Sequence, residues 1–477
     1  NTQIVSIIKI CNEFKISFYA VSSGKNWGYG GASPVENDVL ILDLSKMKKI
    51  LEFNKDLHYV TVQPGVTQQD LYEYMKINEY KFMVPTTGAG PDVSLLGNAV
   101  ERGYGITPHE DHFGSLFSLK AILPNGQVYS SSLSELGGYS VDSIFKWNIG
   151  PYLDGIFTQS NLGIVVEVTI ALVPAPKNVT QFVVFLNEED FEGGVIAVKN
   201  IKTKLSGIVG GVNLMNKRRL LAMIEADWSK DKALEEIHVI EFAKKRDLPD
   251  WAMVGAIYGE SEIVGAAKRI MKKECKEISK KVVFLSKRKY KFARSVLKFL
   301  PLKNLKQMLD NAGRALEVLE GTPSKVALPL AYLKNKKGIP YNQIYNPDKD
   351  NCGLIWFAPL MPLDPAIVRD FVQELSRICL LYDIEPLITL TSFSSRCIDS
   401  TIPILFSKEN PLDIINAKAC YEELLASCKV MGLVPYRLDI DHMSLLHDEK
   451  VVSFKLASEI KKIVDPNKLF APGRYIK

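Results

Sequence analysis

The stretch Val21-Ser22-Ser23-Gly24-Lys25-Asn26-Trp27-Gly28-Tyr29-Gly30-Gly31-Ala32 constrains this chain more than any other. Four glycines within eight residues strip side chains from a short loop, so its backbone N–H groups can turn inward onto an anion. The loop follows a helical segment, Ile4 to Phe14, and an apolar run, Ile16 to Val21, and it precedes the strand Val39-Leu40-Ile41-Leu42-Asp43. It therefore sits at a strand end, and a diphosphate is its natural guest. The two familiar phosphate loops do not fit: there is no Gly-Lys-Ser/Thr, and Gly28-Tyr29-Gly30-Gly31 runs into Ala32-Ser33-Pro34 and a strand rather than a helix. The backbone has to hold the anion without a helix dipole.

At 477 residues the chain is long enough for two or three domains with large cores. A hydrophobic content of 47%, with 24% charged residues and no apolar run long enough to cross a bilayer, predicts a soluble protein with no membrane partner. The net charge of +5 is spread through interleaved Lys, Arg, Glu and Asp, which gives nucleic-acid binding no support. The basic run from Lys272 to Lys291 reads as a solvated helix face. Seven cysteines with no C-x-x-C pair argue against a disulfide framework or a zinc site and predict reduced core residues in a cytoplasmic protein; no metal is expected. The chain opens on Asn1-Thr2-Gln3, and part of the first domain is expected upstream.

Taken in order, strands are expected at Ile50–Asn54 and Tyr59–Val66, then a helix to Ile77 with Thr67 as N-cap and Asp70 at its third position. A second glycine-rich region follows: Pro85-Thr86-Thr87-Gly88-Ala89-Gly90-Pro91-Asp92, then Gly97-Asn98 and Gly103-Tyr104-Gly105. So many permissive positions imply backbone passing close to a flat, rigid object. In Thr107-Pro108-His109-Glu110-Asp111-His112-Phe113-Gly114 the two histidines are expected to make structural hydrogen bonds rather than hold a metal. Asn125-Gly126 predicts a hairpin turn between Ser118–Leu123 and Val128-Tyr129. Pro174, Pro176 and Lys177-Asn178 mark a boundary, after which strands (181–185, 282–284, 354–357, 387–392, 402–406) alternate with helices (230–246, 260–281, 365–382, 412–431). A last helix is expected at 451–464.

Five stretches, in order, resemble the FAD-linked oxidoreductases of the vanillyl-alcohol oxidase and p-cresol methylhydroxylase family. They are the glycine loop, Val62-Gln63-Pro64-Gly65-Val66-Thr67, Leu96-Gly97-Asn98-Ala99-Val100-Glu101-Arg102-Gly103, Gln159-Ser160-Asn161-Leu162-Gly163-Ile164-Val165, and Asp465-Pro466-Asn467 with Ala471-Pro472-Gly473-Arg474. The resemblance implies an α+β fold of two domains: an FAD-binding domain over 1–178, a cap domain with an antiparallel sheet covered by helices over 179–431, and a return to the first domain over 432–477. It implies FAD held by Ser23, Gly24, Lys25, Asn26, Trp27, Gly28, Gly30, Gly31, Pro85, Thr87, Gly88, Gly97, Asn98, Gly103, Gly105, His112, Phe113, Asn161, Gly163, Ile164 and Arg474. The implied partners are a small aromatic substrate, a second copy in a homodimer, and a redox partner protein or oxygen as electron acceptor.

The chemistry implied by the family is hydride loss from the para benzylic carbon of a phenolate, leaving a quinone methide. A fixed cation and hydroxyl donors stabilise that phenolate. By motif these are Tyr29, Tyr436 and Arg437, with Trp356, Phe357 and Phe393 as an aromatic wall. Two positions depart from the family pattern. The oxidase branch has an acidic residue after the proline matching Pro85, where this chain has Thr86, with Asp92 as the nearby substitute. The flavin-tethering position falls on Leu354, and Lys25-Asn26-Trp27 offers no histidine, so FAD is expected to be non-covalent. Two other readings fit the same loops: a 2-hydroxy-acid dehydrogenase in which Arg437 holds a carboxylate, and a catalytically silent flavin-binding subunit.

Overall fold

Two antiparallel sheets carry the computed structural model, which describes residues 1–224, 233–279, 281–297, 303–342 and 344–477. The first has five strands in the order Ile50–Asn54, Tyr59–Val62, Ile164–Ala171, Leu116–Ile122, Val128–Ser130. Val60, Val62, Leu116 and Val168 on this sheet pack against Leu71 of the Gln68–Ile77 helix and Leu95 and Leu96 of the Leu95–Val100 helix. The first of these helices starts where the sequence says it should: the Asp70 N–H donates to Thr67 Oγ1 at 3.1 Å and the Thr67 N–H donates to Asp70 Oδ2 at 2.9 Å. The Asn125-Gly126 turn is also present, with Gly126 at φ +86°. A parallel pair, Phe18–Val21 with Leu40–Asp43, packs with the Thr2–Phe14 helix and with Leu469 and Phe470 of the C-terminal tail.

The second sheet has eight strands, in the order Val282–Ser286, Asn178–Leu186, Trp251–Gly259, Val212–Asn216, Thr389–Ser392, Cys397–Ser400, Pro359–Pro362, Val434–Pro435. Strict alternation divides it into two faces. Phe182, Val184, Val212, Leu214, Met253, Leu390 and Ile398 turn to one side, into a core built with the helices Phe191–Lys204, Ser261–Glu274, Pro365–Leu381 and Pro411–Val430. The intervening residues, among them Asn213, Thr389, Thr391 and Asp399, face the other way. A separate ribbon pairs Cys352–Phe357 with Ile402–Ser407.

The cap sheet departs from the sequence reading at its centre. Trp251–Gly259 and Val212–Asn216 were not expected as strands, nor Phe191–Lys204 as a helix. Trp251–Gly259 is buried on both faces along most of its length, so it shows no polar alternation to read. The helix expected over 260–281 ends at Glu274, and within 230–246 the helix runs Glu236–Lys245; the expected start at Lys230 lies outside the described residues. Two further helices, Lys287–Leu297 and Lys303–Leu319, follow; the basic run read as one helix face is divided between the Ser261–Glu274 and Lys287–Leu297 helices, with the Val282–Ser286 strand between them. Among the described residues no helix is long and apolar enough to cross a membrane, and the seven cysteines are free thiols.

Candidate active site

The glycine loop forms one wall of a cleft of about 230 Å³. Its turn is closed by the N–H groups of Tyr29 and Gly31, which both donate to the Asn26 carbonyl, at 3.1 and 2.9 Å. Among the described residues, none of the N–H groups of Ser23 to Gly28 donates to a backbone carbonyl. Such a run of unspent donors along a cleft is what an anionic group needs. Gly24 takes φ +64°, which a side chain would resist. Gly28, Gly30 and Gly31 also take positive φ, +76°, +109° and +60°, and have a second reason to be small. A Cβ on Gly28 would lie 2.3 Å from Trp356 Cδ1, and one on Gly30 would lie 2.4 Å from Ile440 Cγ2. On Gly31 it would lie 2.1 Å from Asp348 Oδ2. These glycines let the cap ribbon and the C-terminal segment close onto the loop.

The cleft brings together most of the anticipated cofactor residues: Ser23, Gly24, Lys25, Asn26, Trp27 and Gly31 from the loop, Gly97 and Asn98 from the 95–100 helix, Gly163 and Ile164, and Arg474 from the tail. Tyr29 and Arg437 line it too. The extended cleft, its unspent amides and its two arginines fit a dinucleotide such as FAD. Arg474 is delivered by a clasp on the tail. Asn161 Nδ2 donates to the carbonyls of Ala471 (3.0 Å) and Ile476 (2.9 Å), and buried Lys461 bridges Asp465 Oδ2 (2.8 Å) to the Phe470 carbonyl (3.0 Å). Asn161 thus serves the cleft by holding the tail.

Several expected residues lie behind the cleft wall. A Cβ on Gly103 would meet Asn98 Nδ2 at 2.1 Å and one on Gly105 the Thr86 carbonyl at 2.3 Å, so these two serve chain-on-chain packing. Thr87 is tied to Gln68, whose Nε2 donates to Thr87 Oγ1 at 3.0 Å. Pro85 and His112 line a separate small void. His112 Nδ1 is 2.5 Å from Asn98 Oδ1, and burial pushes its imidazole down to about 4. The Phe113 ring packs under Lys146, 4.3 Å from its Nζ. Gly88 has only an ordinary contact, 3.5 Å to Ala327 Cβ. Thr86 is fully buried and its hydroxyl donates to the Val318 carbonyl at 3.2 Å. Asp92 is exposed and does not take the place of the family's acid. Phe357 turns into the cap core against Tyr421, with ring centroids 5.3 Å apart.

A buried acid stands on the cap sheet. Asp399 is 2% exposed, and neither carboxylate oxygen has a hydrogen-bond partner. It lies beside Thr391, which is paired to Asn213 on the next strand, and its charge reaches Tyr29, Tyr104 and Tyr436. Burial pushes its carboxyl well above the usual aspartate range, and Tyr104 opposes this only in part, its own hydroxyl being 2.5 Å from Thr401 Oγ1. Around it stand Phe393, 4.3 Å from the Tyr104 ring, and Tyr436, 6.1 Å from the same ring. Arg437 lies 4.1 Å over the Tyr29 ring with its Nε unpartnered. Burial works against its charge, and Glu101 together with Tyr29, Tyr475 and Tyr436 more than restores it. Tyr29 is raised by burial, with Arg437 pulling the other way. No motif or spacing pointed to Asp399, and Glu101 was visible only as a letter in a motif.

Residues 1–132 match the family model of an FAD binding domain. Over 484 residues, covering 99% of this chain and 88% of the relative, the chain is 32% identical to 1'-carboxy-chondrochloren decarboxylase of Chondromyces crocatus. It is 28% identical to the 4-cresol dehydrogenase (hydroxylating) flavoprotein subunit of Pseudomonas putida, covering 99% of this chain and 85% of that one. Among solved structures, p-cresol methylhydroxylase with substrate bound superposes with a TM-score of 0.85 at 26% identity, covering 100% of this chain and 87% of that one. The 4-ethylphenol oxidase of Gulosibacter chungangensis shares the fold, with a TM-score of 0.87 at 21% identity over 99% of this chain and 87% of that one. The α+β architecture, the cleft and these relatives agree: the chain belongs to the FAD-dependent oxidoreductases of the p-cresol methylhydroxylase type.

Proposed function

We propose that this chain oxidises a 4-substituted phenol by removing a hydride from the para benzylic carbon. The observation that carries the reading is the grouping of Tyr436, which does not itself line the cleft, with the cleft residues Tyr29 and Arg437, next to a buried, unpartnered carboxyl. FAD held in the cleft supplies the hydride acceptor. Arg437 and the two tyrosine hydroxyls stabilise the phenolate oxygen, whose electron density then assists hydride departure and leaves a quinone methide. Tyr104, Phe393 and Trp356 hold the ring flat and exclude water. Asp399, whose burial favours the protonated form, holds a proton beside the para side chain, where Thr86, its hydroxyl committed to the Val318 carbonyl, offers none.

Leu354 supports non-covalent FAD: its Cγ lies 3.1 Å from where a Gly28 Cβ would be, so an unreactive side chain occupies the tethering position beside the loop. The two sheets support a division into an FAD-binding unit over 1–178, a cap over 179–431 and a returning segment from 432. The seven free cysteines support a reducing, cytoplasmic setting. The test is anaerobic titration of FAD-loaded protein with 4-alkylphenols, 4-hydroxyphenylpropanoates, lactate and glycolate, following the flavin absorbance and released CO2. Bleaching by phenols alone supports the proposal. Bleaching by lactate or glycolate in their place moves the assignment to hydroxy acids, and a flavin that no substrate bleaches moves it to a silent subunit.

A further inference from the structure

Glu101 caps the C-terminus of the Leu95–Val100 helix and places one carboxylate between two arginines. Its Oε1 accepts from Arg474 Nη2 at 3.0 Å and its Oε2 from Arg437 Nη2 at 3.3 Å. The Tyr475 hydroxyl also donates to Oε2. Burial alone would raise this carboxyl, but Arg474 and then Arg437 outweigh it and keep Glu101 ionised. The same Arg437 Nη2 donates to Asn26 Oδ1, so one guanidinium edge is fixed by the glycine loop and Glu101 while its Nε is left without a partner. The cluster carries two positive charges and one negative, in a cleft wall shared by the cofactor loop and the phenol end.

We propose that Glu101 is a positioning residue that acts electrostatically, fixing Arg437 and Arg474 relative to each other and limiting the positive charge they present to both cofactor and substrate. The substrate half of this rests on the phenolate reading above; the cofactor half does not. Neutralising Glu101 leaves two uncompensated guanidinium groups. An anionic ligand then binds more tightly, a neutral ligand of the same shape does not, and a flavin held in the cleft would become easier to reduce because reduction adds negative charge to a cleft that then carries one more net positive charge. A carboxylate that mattered only for packing would weaken both ligands together and leave the potential in place.

The test compares wild type with Glu101→Gln, both FAD-loaded, by two measurements. The first is the flavin midpoint potential, which needs no substrate. The second is the ratio of dissociation constants for 4-nitrophenolate and 4-nitroanisole, above the pKa of 4-nitrophenol. The expected result is a potential shifted positive and an anion preference increased roughly tenfold, as one charge removed at several ångströms in a partly screened site implies. Glu101→Asp, which keeps the charge but withdraws it by one methylene, moves both readouts in the same direction by a smaller factor. This second variant decides the matter if the first fails to retain flavin. An unmoved or negative potential shift overturns the proposal, as does equal weakening of both ligands. A positive potential shift in a protein whose wild type ignores 4-nitrophenolate overturns the phenol reading and leaves the cofactor role of Glu101 standing.

Discussion

Replacing Asp399 by Asn is expected to make the protein more stable and less active at once. Asp399 is 2% exposed and its carboxyl has no hydrogen-bond partner, so the native state disfavours its ionised form. Its native pKa is raised, so the sign of the linkage is fixed. The stability it contributes is fully present below the unfolded value of about 4 and is lost at about 1.4 kcal/mol per pH unit as pH rises toward the native pKa. Asn cannot ionise. The stability advantage of Asp399→Asn should therefore grow by about 1.4 kcal/mol for each pH unit between the unfolded and the native value, a shift of about 1.4 °C per unit in the difference of melting temperatures for 477 residues melting together. Loss of the exchangeable proton is expected to slow substrate-driven flavin bleaching by about 10²–10⁴-fold. Melting of the FAD-loaded proteins across pH 5–8, followed by flavin fluorescence, measures the first effect, and anaerobic stopped-flow measures the second. Parallel pH profiles, which an Asp399 of ordinary pKa predicts, or a variant that bleaches as fast as wild type, which a carboxyl remote from the reaction predicts, would refute the reasoning.

Arg437→Ala is expected to slow bleaching by about 10²–10³-fold while FAD stays bound, since a guanidinium about 4 Å from a phenolate is worth about 4 kcal/mol at an effective dielectric of 20 before Glu101 offsets part of it; release of flavin with unchanged chemistry in the remaining holoenzyme would show Arg437 to be a cofactor residue. Tyr436→Phe should act in the same direction by a smaller factor. Acid precipitation should leave the yellow colour in the supernatant and a denatured mass equal to the bare polypeptide, and a mass increment of one FAD would reveal a tether. Glu110, in contact with Lys202 at 2.7 Å, is pushed up to about 7 by burial, Lys202 opposing. Its native value lies above the unfolded one, so the stability contributed by its protonated form is present at low pH and lost as pH rises through about 7; Glu110→Gln should flatten the melting profile between pH 5 and pH 8, and an unchanged slope would dismiss the effect.

The cofactor half of the site was legible because its determinants are local. A glycine loop, a capping box at Thr67 and an Asn-Gly turn each declare themselves within a few residues. Even there the reasons differ in part: Gly28, Gly30 and Gly103 answer to Trp356, Ile440 and Asn98, which only folding brings near. Thr86 and Asp92 misled for the same reason. Position in a motif located them along the chain, but one hydroxyl turned to the Val318 carbonyl and the other side chain to solvent.

The substrate half is non-local by construction. Cys397-Ile398-Asp399-Ser400 shows only one strongly apolar residue, and a lone carboxylate in such a strand is ordinarily assigned to solvent. Its inward direction follows from register. Ile398 and Leu390 must enter the helix-covered core, so Asp399 and Thr391 are forced to the opposite face, and pairing through Thr391 lines them up with Asn213, 186 positions before Asp399 in the chain. On an isolated sheet that face would be wet and Asp399 an ordinary surface acid. Here Tyr104 reaches across from the cofactor-binding half to Thr401 and brings an aromatic lid with it, so the same carboxylate is dried and its proton retained. Burial at this junction raises the Asp399 carboxyl while the Tyr104 hydroxyl pulls it down, so Tyr104→Phe, which keeps the ring and removes the hydroxyl, should raise the Asp399 pKa further without touching Asp399 itself, and a lowered value would refute this account.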